Sequence, residues 1–347
     1  MRSTSDAQTS HSGETDGAQI EGLIVDGSRG QYRVETAEGI VVCTIRGRLR
    51  KQLIYPVSTN AHQRVKSVKV GEKDPVAVGD RVRLLLTGGG AGVIEAVVAR
   101  AGGAFTRDDP DDGGGTLTTV AGLDQLVLVF AARDPEPHPR LLDRLLVLAE
   151  AQEMVAVVCL NKVDLGVAPA LEARLAVYRR VGYPIILASA ADGRGLDELR
   201  TRLAGQVSAF VGTSGVGKTS LLNALQPELG QRVGAVGANT HKGRHTTTGT
   251  RLFPLAGPAG GYIADTAGIR ALALAAGTRR QLDRCFREFQ PYLGACRLTD
   301  CTHVHEPDCA VRAAVRSGEI DAARYDSYHR LATDGSAASA EDWGDIV

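Results

Sequence analysis

The chain has 347 residues, 43% of them hydrophobic and 4% aromatic, and its 40 Lys and Arg balance 40 Asp and Glu to a formal net charge of zero. That length allows two or three domains with their own cores, and the balance excludes a protein drawn to nucleic acid or membrane by its overall field. No apolar run reaches the length of a membrane-spanning helix.

The charge is unevenly placed. Residues 21–107 carry 14 Lys and Arg against 8 Asp and Glu, so a basic module sits on a mildly acidic body and one end alone is suited to an anionic partner. Residues 1–19 are small, polar and acidic, with no apolar stretch of the kind a signal peptide needs, and read as a disordered tail. Residues 20–105 read as five short strands, at 21–26, 31–35, 40–45, 80–86 and 92–100, separated by glycines. Five short strands in so little chain fit a small barrel of the oligonucleotide-binding (OB) type. Arg46, Arg48, Arg50 and Lys51 follow the third strand and are candidates for contact with a phosphate backbone. With Tyr32 and Tyr55 as almost the only aromatics here, stacking on bases is a poor fit. Residues 106–119, acidic and Gly-rich, read as a linker.

From 120 to 275 strands alternate with helices. Apolar strands are expected at 125–131, 154–160, 184–187 and 207–211, with helices opened by Pro137 and Pro139 and covering 168–180 and 196–203. That order implies a parallel sheet with helices on both faces, which binds ligands at the carboxyl ends of its strands. The run VGTSGVGKTS at 211–220 follows one such strand and opens a helix. It places Gly212, Gly217, Lys218 and Thr219 at the fixed positions of a phosphate-binding loop, with Thr213, Ser214, Gly215, Val216 and Ser220 completing the cradle. Backbone N–H groups and the helix N-terminus attract phosphate. Lys218 reaches the β- and γ-phosphates and the Thr219 hydroxyl suits Mg²⁺.

Another strand end carries Asn161-Lys162-Val163-Asp164. The Asp164 carboxylate can accept the ring N–H and the exocyclic amine of guanine, a donor pair adenine lacks on that edge, and a site built for those bonds rejects the analogue without them. Lys162 can lie along the base, Asn161 can brace neighbouring loops, and Ser189-Ala190 can donate to the guanine carbonyl. Beyond the phosphate loop, 229–247 is irregular and Gly-rich, and its threonines 246–248 are candidates to close over the γ-phosphate and Mg²⁺ as a switch loop does. A strand pair at 250–255 and 261–264 then runs into Asp265-Thr266-Ala267-Gly268. There Asp265 suits a water-mediated Mg²⁺ contact and the Gly268 N–H can sense the γ-phosphate. Many GTPases follow that Gly with a Gln that orients the attacking water; here the residue is Ile269, so slow intrinsic hydrolysis is expected. His245 is the candidate to supply the missing role, or else packs or caps its loop. Base-recognition runs precede the phosphate loop, the reverse of most GTPases, so the domain reads as circularly permuted, which close-lying domain termini tolerate.

Residues 276–334 read as a mostly helical domain with helices at about 277–289 and 309–331, followed by a flexible tail, 335–347. Between the helices, Cys296, Cys301, His303 and Cys309 have the spacing C-x₄-C-x-H-x₅-C, three thiolates and an imidazole that close a tetrahedral structural zinc site. Cys43, Cys159 and Cys285 are scattered through apolar or helical stretches, which suits a reducing cytoplasm with one metal site better than a disulfide framework.

The stretches DPEPHPRLLDRLLVLAEAQ, NKVDL, GTSGVGKTSLLNAL, GRHTTT, DTAGIR and CRLTDCTHVHEPDCAV together resemble the circularly permuted, small-ribosomal-subunit-dependent GTPases of ribosome biogenesis. The resemblance covers about 20 to 332. It implies an OB barrel, a permuted GTPase domain and a Cys₃His zinc domain, with slow GTP hydrolysis stimulated by the 30S subunit during its late maturation. It further implies Thr247 as the Mg²⁺-sensing threonine, His245 as the residue that activates hydrolysis on the ribosome, and the same four zinc ligands. The segment TTVAGLDQ lacks the Asn-x-Asp run of the family, and the acidic N-terminal stretch is an addition. The expected protein is thus a cytoplasmic, monomeric GTPase using GTP/GDP with Mg²⁺ and one structural Zn²⁺, with the 30S subunit and 16S rRNA as partners and no membrane contact. A stand-alone metabolic NTPase and an RNA-binding assembly module with a structural nucleotide are the rival readings.

Overall fold

The computed structural model of the chain describes residues 18–28, 30–47, 49, 76–98, 102–108, 116–230, 251–264 and 278–333. Of the tail expected to be disordered at 1–19, residues 1–17 lie outside them, while Gln19 already opens the first strand; the flexible tail expected at 335–347 lies outside them, as do Arg48, Arg50, Lys51, His245, Thr247, Asp265 and Gly268.

Strands β1 (Gln19–Ser28), β2 (Gln31–Thr36), β3 (Gly39–Ile45), β4 (Arg81–Gly88) and β5 (Ala91–Val97) close a barrel in the order β1-β2-β3-β5-β4. Alternation builds it: Val34, Val41, Cys43, Val82, Leu84 and Ile94 point inward and are buried, while Arg33, Thr44, Arg81 and Arg83 face out. The expected strands all form, each within a few residues of its expected ends. Arg46, at the end of β3, is in an ion pair with Glu95 of β5.

The stretch read as a linker is a correction. β6 (Gly103–Asp108) and β7 (Thr116–Leu123) pair antiparallel, so strand structure enters 106–119 from both sides. Threonines at 106, 116, 118 and 119 favour an extended backbone, and the acidic, Gly-rich composition concealed it. β7 also seats the barrel: Ala121 N–H donates to Val78 O at 2.8 Å. Gly79 lies opposite with φ +91°, and a Cβ there would come within 1.9 Å of Ala121 O, so only glycine fits.

The central sheet has the order β10-β9-β8-β11-β13-β12. β8 (Gln125–Ala131), β9 (Val155–Asn161), β10 (Ile185–Leu187), β11 (Val207–Val211) and β13 (Tyr262–Ala264) run parallel, and β12 (Leu252–Pro254) pairs antiparallel with β13. Every residue of β8 and β11 is buried, as expected of strands covered on both faces. Helices α1 (Pro139–Ala151), α2 (Pro169–Arg180), α3 (Leu196–Leu203) and α4 (Lys218–Leu225) complete the α/β domain. Pro139 and Pro169 each stand in the first turn, where a missing N–H costs nothing. Chain order reverses between β8 and β11, and the crevice at that switch point is where such sheets take ligands.

In the C-terminal part, the helix expected at 277–289 is instead two 3₁₀ segments, Thr278–Cys285 and Arg287–Tyr292. Gln281 and Phe286 leave helical geometry, and Leu282, Cys285, Phe286 and Phe289 all reach the domain's core. The single helix expected over 309–331 is two, α5 (Ala310–Ser317) and α6 (Ala322–Thr333). Gly318, at φ +83°, ends the first as a left-handed cap. Asp321 begins the second by accepting from the N–H groups of Ala323 and Arg324 at 3.0 and 3.2 Å. No helix among the described residues is long and apolar enough to cross a membrane.

The C-terminal domain docks on α1 through buried charge. Arg324 of α6 donates to Asp143 of α1 at 2.5 Å and to both oxygens of Glu288 at 2.6 and 3.2 Å. Asp143 also accepts from the Tyr178 hydroxyl of α2 at 2.7 Å and from the Ser327 hydroxyl. The Arg324 guanidinium lies 4.6 Å from the Phe286 ring centre, and the Arg324 and Asp143 side chains are only 2% and 1% exposed.

Candidate functional site: a guanine-nucleotide crevice and a Cys₃His cluster

The phosphate loop runs from the end of β11 to the start of α4. Its glycines answer to close approach. A Cβ on Gly212 would lie 2.2 Å from Val129 O of the neighbouring strand, and one on Gly217 would lie 2.3 Å from Asn161 Nδ2. Gly215 and Gly217 hold φ of +79° and +91°, left-handed conformations that glycine adopts without strain. Lys218 turns its ammonium back into the loop and donates to Gly212 O at 2.7 Å and Thr213 O at 3.0 Å. Burial pushes its pKa down to about 8, because leaving water disfavours the charged form. Thr219 and Ser220, in the first turn of α4, and Ser214, in the loop, are exposed toward the crevice mouth, and Val216 is buried beneath it.

Asn161 joins the two halves of the site. It is the last residue of β9 and 1% exposed. Its Nδ2 donates to Val216 O of the phosphate loop at 2.9 Å, and its Oδ1 accepts from Ala190 N–H at 3.2 Å. One side chain thus ties the Asn-Lys-x-Asp run, the Ser189-Ala190 loop and the phosphate loop. Asp164 is exposed, and one of its carboxylate oxygens accepts from the buried Ser189 hydroxyl at 2.7 Å. Ser189 Oγ in turn accepts from the N–H groups of Ala191 and Asp192, both at 3.2 Å.

One contributor was not legible in the motifs. The loop after β8 passes between the halves: Lys162 donates its ammonium to Asp134 O, and Pro135 Cδ lies 3.7 Å from where a Cβ of Gly215 would be. The signal available was position, since this loop leaves the carboxyl end of a central strand at the sheet's switch point.

Residues 103–275 match the family described as RsgA GTPase. A small ribosomal subunit biogenesis GTPase RsgA from Gemmatimonas aurantiaca is 42% identical over 314 residues, 89% of this chain and 95% of that relative. The chain belongs to the RsgA GTPase family. Another RsgA so named, from Chromohalobacter salexigens, is 44% identical over 258 residues, 74% of each chain. Among solved structures, YjeQ from Thermotoga maritima superposes with a TM-score of 0.68 at 31% identity, covering 91% of this chain and 98% of that one. YloQ, described as a circularly permuted GTPase, gives 0.66 at 26% identity, covering 93% and 96%. As a member of the RsgA GTPases the chain hydrolyses GTP, and its Asn-Lys-x-Asp run precedes its phosphate loop in the permuted order.

The C-terminal domain of this RsgA GTPase gathers a second constellation. Donor atoms of Cys296, Cys301, His303 and Cys309 all lie within 4.8 Å of one another. Tetrahedral zinc with ordinary bond lengths sets S···S at about 3.8 Å and S···N at about 3.6 Å. Here Cys296 and Cys309 Sγ are 3.9 Å apart, and His303 Nδ1 is 3.5 and 3.4 Å from them, so the donors fit such an ion. Asp283 lies 3.7 Å from His303 Nε2, the carboxylate that orients a metal-binding imidazole from its far side. Its contact raises the ring's pKa to about 9. Glu306 accepts from the N–H groups of Thr302, Val304 and His305 at 2.8, 3.0 and 3.2 Å and sets the loop between the ligands.

Proposed function

We propose that this GTPase works in the biogenesis of the small ribosomal subunit, engaging 16S rRNA of the 30S particle and hydrolysing GTP faster there than in free solution. The reading is carried by coverage: a relative so named aligns over 95% of its length. A cytoplasmic location and a monomeric state belong to the same proposal.

Guanine is read by Asp164, held by Ser189, with Lys162 along the base and the Ala190 N–H beside it; Asn161 keeps these groups in register with the phosphates. Phosphates lie on the backbone of 212–217 and against Lys218, and Ser220 backs the same turn. Thr219, Thr247 and Asp265 are the residues that would hold Mg²⁺, which would supply positive charge beside the terminal phosphates. Water attacks the γ-phosphorus, the bond to the β-phosphate oxygen breaks, and GDP and phosphate leave. With Ile269 where other GTPases place Gln, positioning of that water falls to His245 or to a group supplied by the particle, and the Gly268 N–H senses the γ-phosphate. Cys296, Cys301, His303 and Cys309 would hold one Zn²⁺, a full set of four donors that would give it a structural role.

Hydrolysis is measured for the protein alone, with 30S and with 50S subunits. A large increase with 30S alone is expected. Fast turnover indifferent to either subunit would overturn the assembly role, and tight nucleotide binding without stimulated hydrolysis would favour an RNA-binding module.

A further inference from the structure

We propose that α6 is a clasp through which the metal-holding loop fastens the C-terminal domain to the GTPase domain, so that emptying the metal site opens the seam at α1. The inference rests on the metal reading above and concerns what the loop is attached to.

α6 presents two adjoining pairs of residues to two different neighbours. Tyr325 and Tyr328 donate their hydroxyls to His303 O and Thr302 O, at 2.8 and 2.6 Å, in the middle of the ligand loop. Arg324 and Ser327 reach Asp143 of α1. Three-residue spacing puts each pair on successive turns, one stripe beside the other. Between them Phe286 and Phe289 fill the space: their ring centres lie 5.3 and 4.8 Å from that of Tyr328, and Val147 of α1 belongs to the same cluster. Besides these anchors, the ligand loop is held by the Glu306 carboxylate on the N–H groups of Thr302, Val304 and His305, which fixes its middle but not the ligands at its two ends. It is a run of turns with left-handed residues at His303 and Asp308, conformations that cost free energy unless their surroundings over-determine them. Metal bonds supply that constraint, and folding of such small sites is bound up with metal binding. Without it the carbonyls of 302 and 303 leave their positions, α6 loses two anchors, and a buried Arg324–Asp143 pair whose worth depends on good geometry is opened to water.

Amide hydrogen exchange of the full-length protein tests this with no ribosome present. Zinc content is counted by native mass spectrometry, the metal is stripped with a chelator, and Zn²⁺ alone is added back. Stripping is expected to speed exchange in α1 and α6 by at least about tenfold while β9 and β11 keep their protection, and Zn²⁺ is expected to restore it. The double variant Tyr325→Phe, Tyr328→Phe removes only the two hydroxyl bonds. It should bind zinc, yet α1 should exchange faster with metal present and respond less to stripping. Faster exchange confined to 296–309, or a double variant that responds as the unmodified protein does, overturns the clasp. A protein that binds no zinc overturns the metal reading and the clasp together, and is told apart by its mass.

Discussion

Two seams join the GTPase domain to its neighbours, and they differ in how deeply their charges are buried. The barrel meets it through an apolar cluster that runs on from the barrel's buried residues to Val120, Leu123 and Leu126, with Ala121 against Val78, a bridge between Asp26 and Arg251, and an ion pair between those two side chains that leaves Arg251 44% exposed. The C-terminal domain meets it through Arg324, Asp143 and Glu288, all nearly removed from water, beneath the ring of Phe286. An exposed pair gains little and is screened by salt. A buried pair is costly to assemble and costlier to break, because the partner left behind keeps its charge without water. The charge contact of the first seam is therefore easy to remake, and that of the second is all-or-none. The second also lies on α1 and α2, the helices that connect the strands leading to the Asn-Lys-x-Asp run and the Ser189-Ala190 loop, while the first touches β12.

Substitutions can break or sharpen that contrast. Arg324→Ala should destabilise the protein by about 3–5 kcal/mol in urea unfolding, the cost of an orphaned buried charge. Removing all three charges together, with Arg324→Met, Asp143→Asn and Glu288→Gln, should recover a large part of it; no recovery would mean the seam depends on shape and not on charge. A control belonging to neither seam is Lys218. Phosphate beside it raises its pKa above the value of about 8 in the free site, so nucleotide binding takes up a proton at higher pH. Affinity for GDP should be flat below that pH and fall about tenfold per unit above it, read by calorimetry; a flat profile to pH 10 refutes the burial argument. Arg251→Ala should cost under about 1 kcal/mol, and less in high salt. Tyr183, buried under Arg287 with its ring centre 4.2 Å from the guanidinium, has a hydroxyl with no partner among the described residues. Tyr183→Phe should leave stability unchanged or raise it slightly, since no hydrogen bond is lost.

What the residues announced and what they concealed follow from how far apart the partners stand. β2 and β3 could be read because burial alternates within a few residues, and the phosphate loop because its glycines meet requirements at fixed short spacing. Asp143 sits within LLDRLL and Arg324 within AARYDSYHR, and each looks like a solvated charge on a helix. Their burial depends on a partner 181 positions away, which no local pattern records. The 3₁₀ segments before the metal loop were hidden for a related reason: Leu282, Cys285, Phe286 and Phe289 have helical spacing, but packing pulls Phe286 out of helical geometry. Asn161 is an intermediate case. Its place in the motif was evident, and its bond to Val216 required the fold.

The bridge between Asp26 and Arg251 also bears on how the chain tolerates being cut. β12 stands at the rim of the central sheet, where unpaired backbone groups invite another strand, and β1 lies against it there. Both rims are short, since β12 and β10 have three residues each, and β12 ends on Pro254, which has no N–H to donate to a ladder. A fragment beginning after the barrel would therefore uncover little strand edge, and the surface it would lay open is apolar, at Val120, Leu123 and Leu126, which share one cluster with the barrel's interior.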